Sequence, residues 1–204
     1  MYYSNEEINM YYDIVGEGEP LLIIHGFAID HRSLKGTAEE SLQANMYKRI
    51  YIDLPGMGKS PAPNKPINAD DLLNSLLEFI DTILGKEASF SILGYSYGGY
   101  LALGLVKLVP KRIEKLVLLA PVVIADSEKR KLPKRLKTKE VFFEVEEKSL
   151  FEEYKTSAVN ITKKDMNIIS LKSIPDYALV TAASKSLFKK RVMHLILKKI
   201  FSAN

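Results

Sequence analysis

Apolar residues in the first 120 positions come in two rhythms. Short continuous runs form the first: Leu21-Leu22-Ile23-Ile24, Tyr47 to Ile52, Ser89 to Leu93, and Lys115 to Ala120. Runs of this length predict strands buried on both faces. Between them the apolar residues recur at helical spacing. Leu72, Leu73, Leu76, Leu77, Phe79, Ile80 and Ile83 predict a helix over 69–84, with Asn68 as its cap and Gly85 as its end. A second helix is predicted over 100–109, closed by Pro110, and a third over 30–45, its pattern broken by Gly36. Ile8 to Val15 has strand composition, and 16–20 reads as a turn. Strands alternating with helices predict an α/β fold: a mainly parallel sheet with helices on both faces, begun by a hairpin-like pair.

The rhythm changes after Pro121. Residues 122–183 have helical composition and little strand signal, with candidate helices over 140–154, 165–171 and 176–190. Residues 186–204 are basic and rich in apolar side chains. Three segments are therefore expected: a core over 1–121, a helical part over 122–185, and a basic segment over 186–204. No internal repeat interrupts this division.

Charge sharpens the division. Residues 1–125 carry 11 Lys/Arg against 15 Asp/Glu, and residues 126–204 carry 18 against 10, which together make the chain's 29 and 25. A solvated helical surface accounts for the basic half. No nucleic-acid recognition motif accompanies it, so no nucleic-acid partner is expected. The alternative for 186–204 is a basic amphipathic helix on a membrane surface. The chain has no cysteine, which removes disulfides and thiolate chemistry. Its N-terminus lacks a basic start followed by an apolar run, so the expected location is cytoplasmic. No phosphate loop and no metal-ligand spacing occurs, so neither cofactor nor metal is expected.

The candidate chemistry sits at Gly94-Tyr95-Ser96-Tyr97-Gly98-Gly99, between a predicted strand and a predicted helix. A serine on a sharp strand-to-helix turn is a nucleophile elbow. Gly94 and Gly98 provide clearance where the chain doubles back. The turn lifts the Ser96 hydroxyl off the sheet and leaves the Tyr97 N–H at a helix N-terminus, where an oxyanion is favoured. His25-Gly26-Phe27 and Asp53 end two other predicted strands, so all three groups meet at the carboxyl edge of the sheet, where sites of such folds lie.

These three motifs, in this order and spacing, resemble the α/β-hydrolase fold superfamily. His25-Gly26-Phe27 is similar to its oxyanion loop, 53–60 to its D-x-P-G-x-G-x-S loop, and 94–99 to its elbow. The resemblance covers about the first 120 residues. It implies that Ser96 is the nucleophile and that the backbone N–H groups of Phe27 and Tyr97 form the oxyanion hole. His25 and Asp53 would hold loops, and 122–185 would be a helical lid. The substrate would be a small molecule with an ester, amide or related acyl bond; which one, and the oligomeric state, the residues leave open.

The resemblance also implies an acid in a G-x-x-D pattern and a histidine in a Gly-His pattern, both late in the chain. Residues after Pro121 include no glycine, and neither pattern occurs there. His194 reads as a helix-face histidine and His31 as a solvent- or pocket-lining one; the resemblance makes Asp126, shortly after the sixth strand where some members of the family place theirs, a candidate acid ahead of Glu128. The expectation is a truncated or frameshifted reading frame that lacks the acid and histidine. Two functions follow: a serine hydrolase acting through Ser96, or a non-catalytic relative that binds a ligand or partner.

Overall fold

The computed structural model describes residues 1–39, 42, 46–123 and 169–170. Six strands form the main sheet: β1 (Tyr2–Ser4), β2 (Asn9–Val15), β3 (Glu19–Ile24), β4 (Tyr47–Ile52), β6 (Phe90–Tyr95) and β7 (Ile113–Leu119). Their order is β1-β2-β4-β3-β6-β7. β1 and β2 run antiparallel to their neighbours, while β4, β3, β6 and β7 are mutually parallel. From β3 the chain crosses to β4 on one side, and from β6 to β7 on the other. The topological switch point therefore falls between β3 and β6, where α/β sheets open a crevice.

Three helices cover the sheet: α1 (Arg32–Ala38), α2 (Ala69–Leu84) and α3 (Tyr97–Leu108). Alternation along the strands divides the core. Leu22, Ile24, Ile50, Ile52 and Ile92 pack with Leu72, Leu76, Phe79 and Leu101 of α2 and α3. Leu21, Ile23, Tyr51 and Leu93 face the other way, with Leu34 of α1. Burying one such side chain contributes about 1.5–3 kcal/mol. On the α1 face Arg49 is buried, and its guanidinium is clamped by both Glu39 carboxylate oxygens at 2.7 and 2.9 Å.

Helix α2 starts on a full capping box: the Asn68 side chain accepts from the Asp70 and Asp71 N–H groups, and Asp71 accepts from the Asn68 N–H. It ends at Gly85, whose φ of 94° a side chain rarely adopts. Arg112 locks that end, donating to the Ala88 and Gly85 carbonyls and to Asp81.

The α/β expectation holds, with local corrections. The turn at 16–18 does not join a hairpin: β4 lies between β2 and β3, because β3 finds parallel partners on both sides. The hairpin at the start of the sheet is β1–β2, and β1 had no sequence signal beyond two tyrosines. Helix α1 spans Arg32–Ala38, within the helix expected over 30–45, of which residues 40, 41 and 43–45 lie outside the described residues. Ile169–Ser170, inside a stretch expected to be helical, is a strand, β8, parallel to β5 (Ile67–Asn68). Its register sets Ile67 against Ile169 and Asn68 against Ser170. Apart from residues 122, 123, 169 and 170, the expected lid and the basic segment lie outside the described residues, as do Asp126, Glu128 and His194.

Candidate active site at the carboxyl edge of the sheet

Ser96 is the single residue between β6 and α3, with φ 52° and ψ −112°. This is sparsely populated backbone for a side-chain-bearing residue and stores on the order of 1–3 kcal/mol of strain. The surroundings over-determine it. Its N–H donates to the Leu119 carbonyl at 2.9 Å, and its carbonyl accepts from the Val122 N–H at 3.0 Å. The loop after β7 thus holds the elbow on both sides.

The glycines explain why the turn can close. A Cβ on Gly94 would lie 2.7 Å from the Gly98 carbonyl oxygen, and one on Gly98 would collide with the Ile24 carbonyl. A Cβ on Gly99 would lie 2.7 Å from the Pro121 ring. A Cβ on Gly26 would lie 3.2 Å from Ser96 Cβ, so the loop after β3 sits directly against the serine. Helix α3 begins at Tyr97, and Ser96 caps it without its side chain accepting a helical N–H. The hydroxyl is thereby left for other partners. Among the described residues, none hydrogen-bonds it.

Three non-glycine residues have positive φ among the described residues: Ala28 at 62°, Ser96 at 52° and Ala120 at 43°. They follow β3, β6 and β7, three adjacent strands, at the same edge. Strain of this kind clusters at functional sites. Alanine has no turn signature, so the sequence carried no sign of Ala28 or Ala120.

Phe27 is exposed and meets Tyr97 edge-on, with ring centroids 6.1 Å apart. Tyr97 stacks on Tyr100 at 6.0 Å. The Tyr97 side chain is 2% exposed, and burial raises its phenol above the ordinary tyrosine range. The three residues singled out in the sequence, Phe27, Ser96 and Tyr97, therefore occupy one edge and adjoin one another.

Two loop junctions support this edge. His25 is fully buried: the Leu54 N–H donates to its Nε2 at 2.9 Å, so the ring is the Nδ1–H tautomer and donates to the Gly26 carbonyl at 2.6 Å. Burial holds its pKa below the usual imidazole value, against the pull of the Gly26 bond and Asp53. Asp53 is buried as well, which raises its pKa. Hydrogen bonds from the His31 ring, from the Lys59 N–H and from the His31 N–H outweigh burial, so the carboxyl stays below its ordinary range. His31 Nδ1 lies 2.7 Å from Asp53 Oδ1. His31, expected to line solvent or the pocket, is buried because Asp53 binds both its ring and its backbone N–H. Asp30, His31 and Asp53 offer ligand atoms within 4.8 Å of one another. Asp53 already accepts three hydrogen bonds and Asp30 is paired with Arg32 at 2.6 Å, so these carboxylates tie the loops together.

The match to known proteins agrees with this geometry. Residues 19–145 match the model of the alpha/beta hydrolase fold family. The chain belongs to that family. A pimeloyl-[acyl-carrier protein] methyl ester esterase from Nitrosospira multiformis is 31% identical over 114 residues, which cover 55% of this chain and 42% of that protein. A putative non-heme chloroperoxidase from Synechocystis is 31% identical over 123 residues, 58% of this chain and 42% of that one. This hydrolase-fold chain thus spans well under half the length of those relatives. Among solved structures, an alpha/beta superfamily hydrolase from Oenococcus oeni superposes with a TM-score of 0.61 at 34% identity, covering 75% of this chain and 57% of that one. A thermophilic esterase from Thermogutta terrifontis gives 0.53 at 27%, covering 59% and 43%. No helix among the described residues is long and apolar enough to cross a membrane.

Proposed function

We propose that this chain carries the nucleophile half of a serine hydrolase acting on small-molecule esters or related acyl compounds. The carrying observation is Ser96, held at positive φ between a strand and a helix N-terminus with its hydroxyl bonded to none of the described residues. Ser96 Oγ would attack the acyl carbon. The carbonyl electron pair would move to oxygen, and the resulting alkoxide would accept hydrogen bonds from the Phe27 and Tyr97 N–H groups. Collapse would break the bond to the leaving oxygen, which would depart as the alcohol carrying the proton given up by Ser96. Water would then cleave the acyl-Ser96 ester to the acid and restore the hydroxyl. One oxyanion donor typically contributes about 2.7–4 kcal/mol to the transition state. Acyl transfer of this kind draws on no cofactor. The esterase names among the relatives favour an ester over an amide.

Serine needs a base at neutral pH. His25 is unsuited to that role, since both its nitrogens are bonded within the loops. This favours a second reading, a non-catalytic ligand- or partner-binding relative. Labelling with a fluorophosphonate separates the two. The hydrolase requires strong labelling of the wild type and none of Ser96→Ala. Equal background in both assigns the chain to the second reading.

A further inference from the structure

Gly26 leads directly into Phe27, and the structure leaves it almost no room. A Cβ at Gly26 would lie 3.0 and 3.1 Å from Cδ1 and Cε1 of Tyr95, so only a hydrogen fits between the Gly26 Cα and that ring. The same Cβ would lie 3.2 Å from Ser96 Cβ. Two successive elbow residues, one by its ring and the next by its Cβ, thus adjoin the glycine. The ring is itself anchored. Tyr95 ends β6, pairs in register with Leu119 of β7 and packs against the core cluster of Leu21, Ile23 and Leu93. The Gly26 carbonyl is fixed separately, by the His25 ring that the Leu54 N–H orients. Just past Phe27 the chain turns through Ala28 at φ 62°. The Tyr95 ring therefore ties the loop after β3 to the strand that delivers Ser96.

We propose that Tyr95 is a positioning residue: its ring is the stop against which Gly26 rests, and it sets where the Phe27 N–H stands relative to Ser96. This rests on the proposed acyl chemistry of that edge and adds a residue that acts through the loop rather than on the substrate. An oxyanion donor is effective only within about 2.7–3.1 Å of the charge it stabilises. A displacement of about 1 Å can cost a hundredfold in rate, so a donor on a loop needs a support locked by packing. A ring held by the core supplies one, where an unbranched or smaller side chain would let Gly26 sink toward the sheet.

The test compares Tyr95→Leu with Tyr95→Phe by two readouts. One is the labelling of Ser96 by a fluorophosphonate, resolved into a maximal rate and a half-saturating concentration. The other is the Phe27 amide resonance in ¹⁵N–¹H spectra, which needs no reaction. The proposal expects Tyr95→Leu to lower the maximal rate at least about tenfold with the half-saturating concentration unchanged, and to shift the Phe27 amide. Tyr95→Phe keeps the ring and should return both readouts to the wild-type values. A general loss of stability would not divide rate from affinity in this way, and urea titration establishes that each variant is folded in the assay. Tyr95→Met, which retains more of the buried volume, takes the place of Tyr95→Leu should that variant not fold. A wild type that does not label sinks the hydrolase reading and leaves the Phe27 amide to decide the contact. An unmoved Phe27 amide without the ring, an undiminished maximal rate in a reactive protein, or a loss in Tyr95→Phe as large as in Tyr95→Leu each overturns the proposal.

Discussion

The Ser96 N–H donates to the Leu119 carbonyl at 2.9 Å, so the elbow after β6 is bonded to the last residue of β7. The Ser96 carbonyl accepts in return from Val122, two residues past Ala120 with its positive φ. One strained residue is thus held by the loop of the adjacent strand, itself strained. The two strained positions are thereby joined by hydrogen bonds on either side of Ala120.

That strain is measurable. Ser96→Gly should be more stable than Ser96→Ala by about 1 kcal/mol, because glycine adopts positive φ freely while losing more chain entropy on folding. Urea denaturation of the two variants decides the matter. Equal midpoints would show the elbow to be relaxed.

Crowding predicts a sharper contrast among the glycines. Gly98→Ala should lose on the order of 3 kcal/mol, because its Cβ meets the Ile24 backbone, which cannot rotate aside. Gly36→Ala, in α1 with nothing within 4 Å, should gain up to about 1 kcal/mol. Thermal unfolding of both variants checks the pair, and a mild Gly98→Ala effect would mean the β3 loop can retreat from the elbow.

Acid should weaken the fold through His25. Its folded-state pKa is depressed by burial, so the unfolded chain binds the proton first. The contribution is complete above the unfolded value near 6.5 and is lost as pH falls below it, at up to about 1.4 kcal/mol per pH unit. His25→Gln should lower stability at pH 7.5 and flatten the slope between pH 6.5 and 5. Denaturant titrations across that range provide the readout; an unchanged slope would place the titrating group elsewhere.

Asp53 acts at lower pH. Its folded pKa is depressed, so its stabilisation is present above the ordinary value of 3.8 and disappears as pH falls through the folded value. Asp53→Asn should cost about 2–4 kcal/mol at pH 7, because the His31 ring and the Lys59 N–H lose a charged acceptor. The gap to wild type should narrow below pH 4. A constant gap would mean that shape, not charge, holds the junction.

Much of the architecture was legible because burial imposes it locally. A strand covered on both faces must be apolar throughout, which Leu21 to Ile24 and Ile50 to Ile52 satisfy, and a helix covered on one face must repeat every three or four residues, as α2 does. The placement of Phe27, Ser96 and Tyr97 at one edge followed from the same logic, since parallel strands bring their carboxyl ends together. The sheet does begin with a hairpin, β1–β2, and the chain turns at 16–18, but that turn leads to a β3 separated from β2 by β4, because strand order depends on which partners are available across the sheet.

The sequence by itself determined the parallel sheet, the strand-to-helix turn at Ser96 and the glycines that turn requires, because each is set by the steric and hydrophobic demands of a few neighbouring residues. Only the tertiary structure decided the rest. The strain at Ala28 and Ala120, the capture of His31 by Asp53 and the bonds that tie Ser96 to Leu119 and Val122 depend on groups far apart in the chain. A residue's own neighbours carry no information about a hydrogen bond that arrives, or fails to arrive, from another strand's loop.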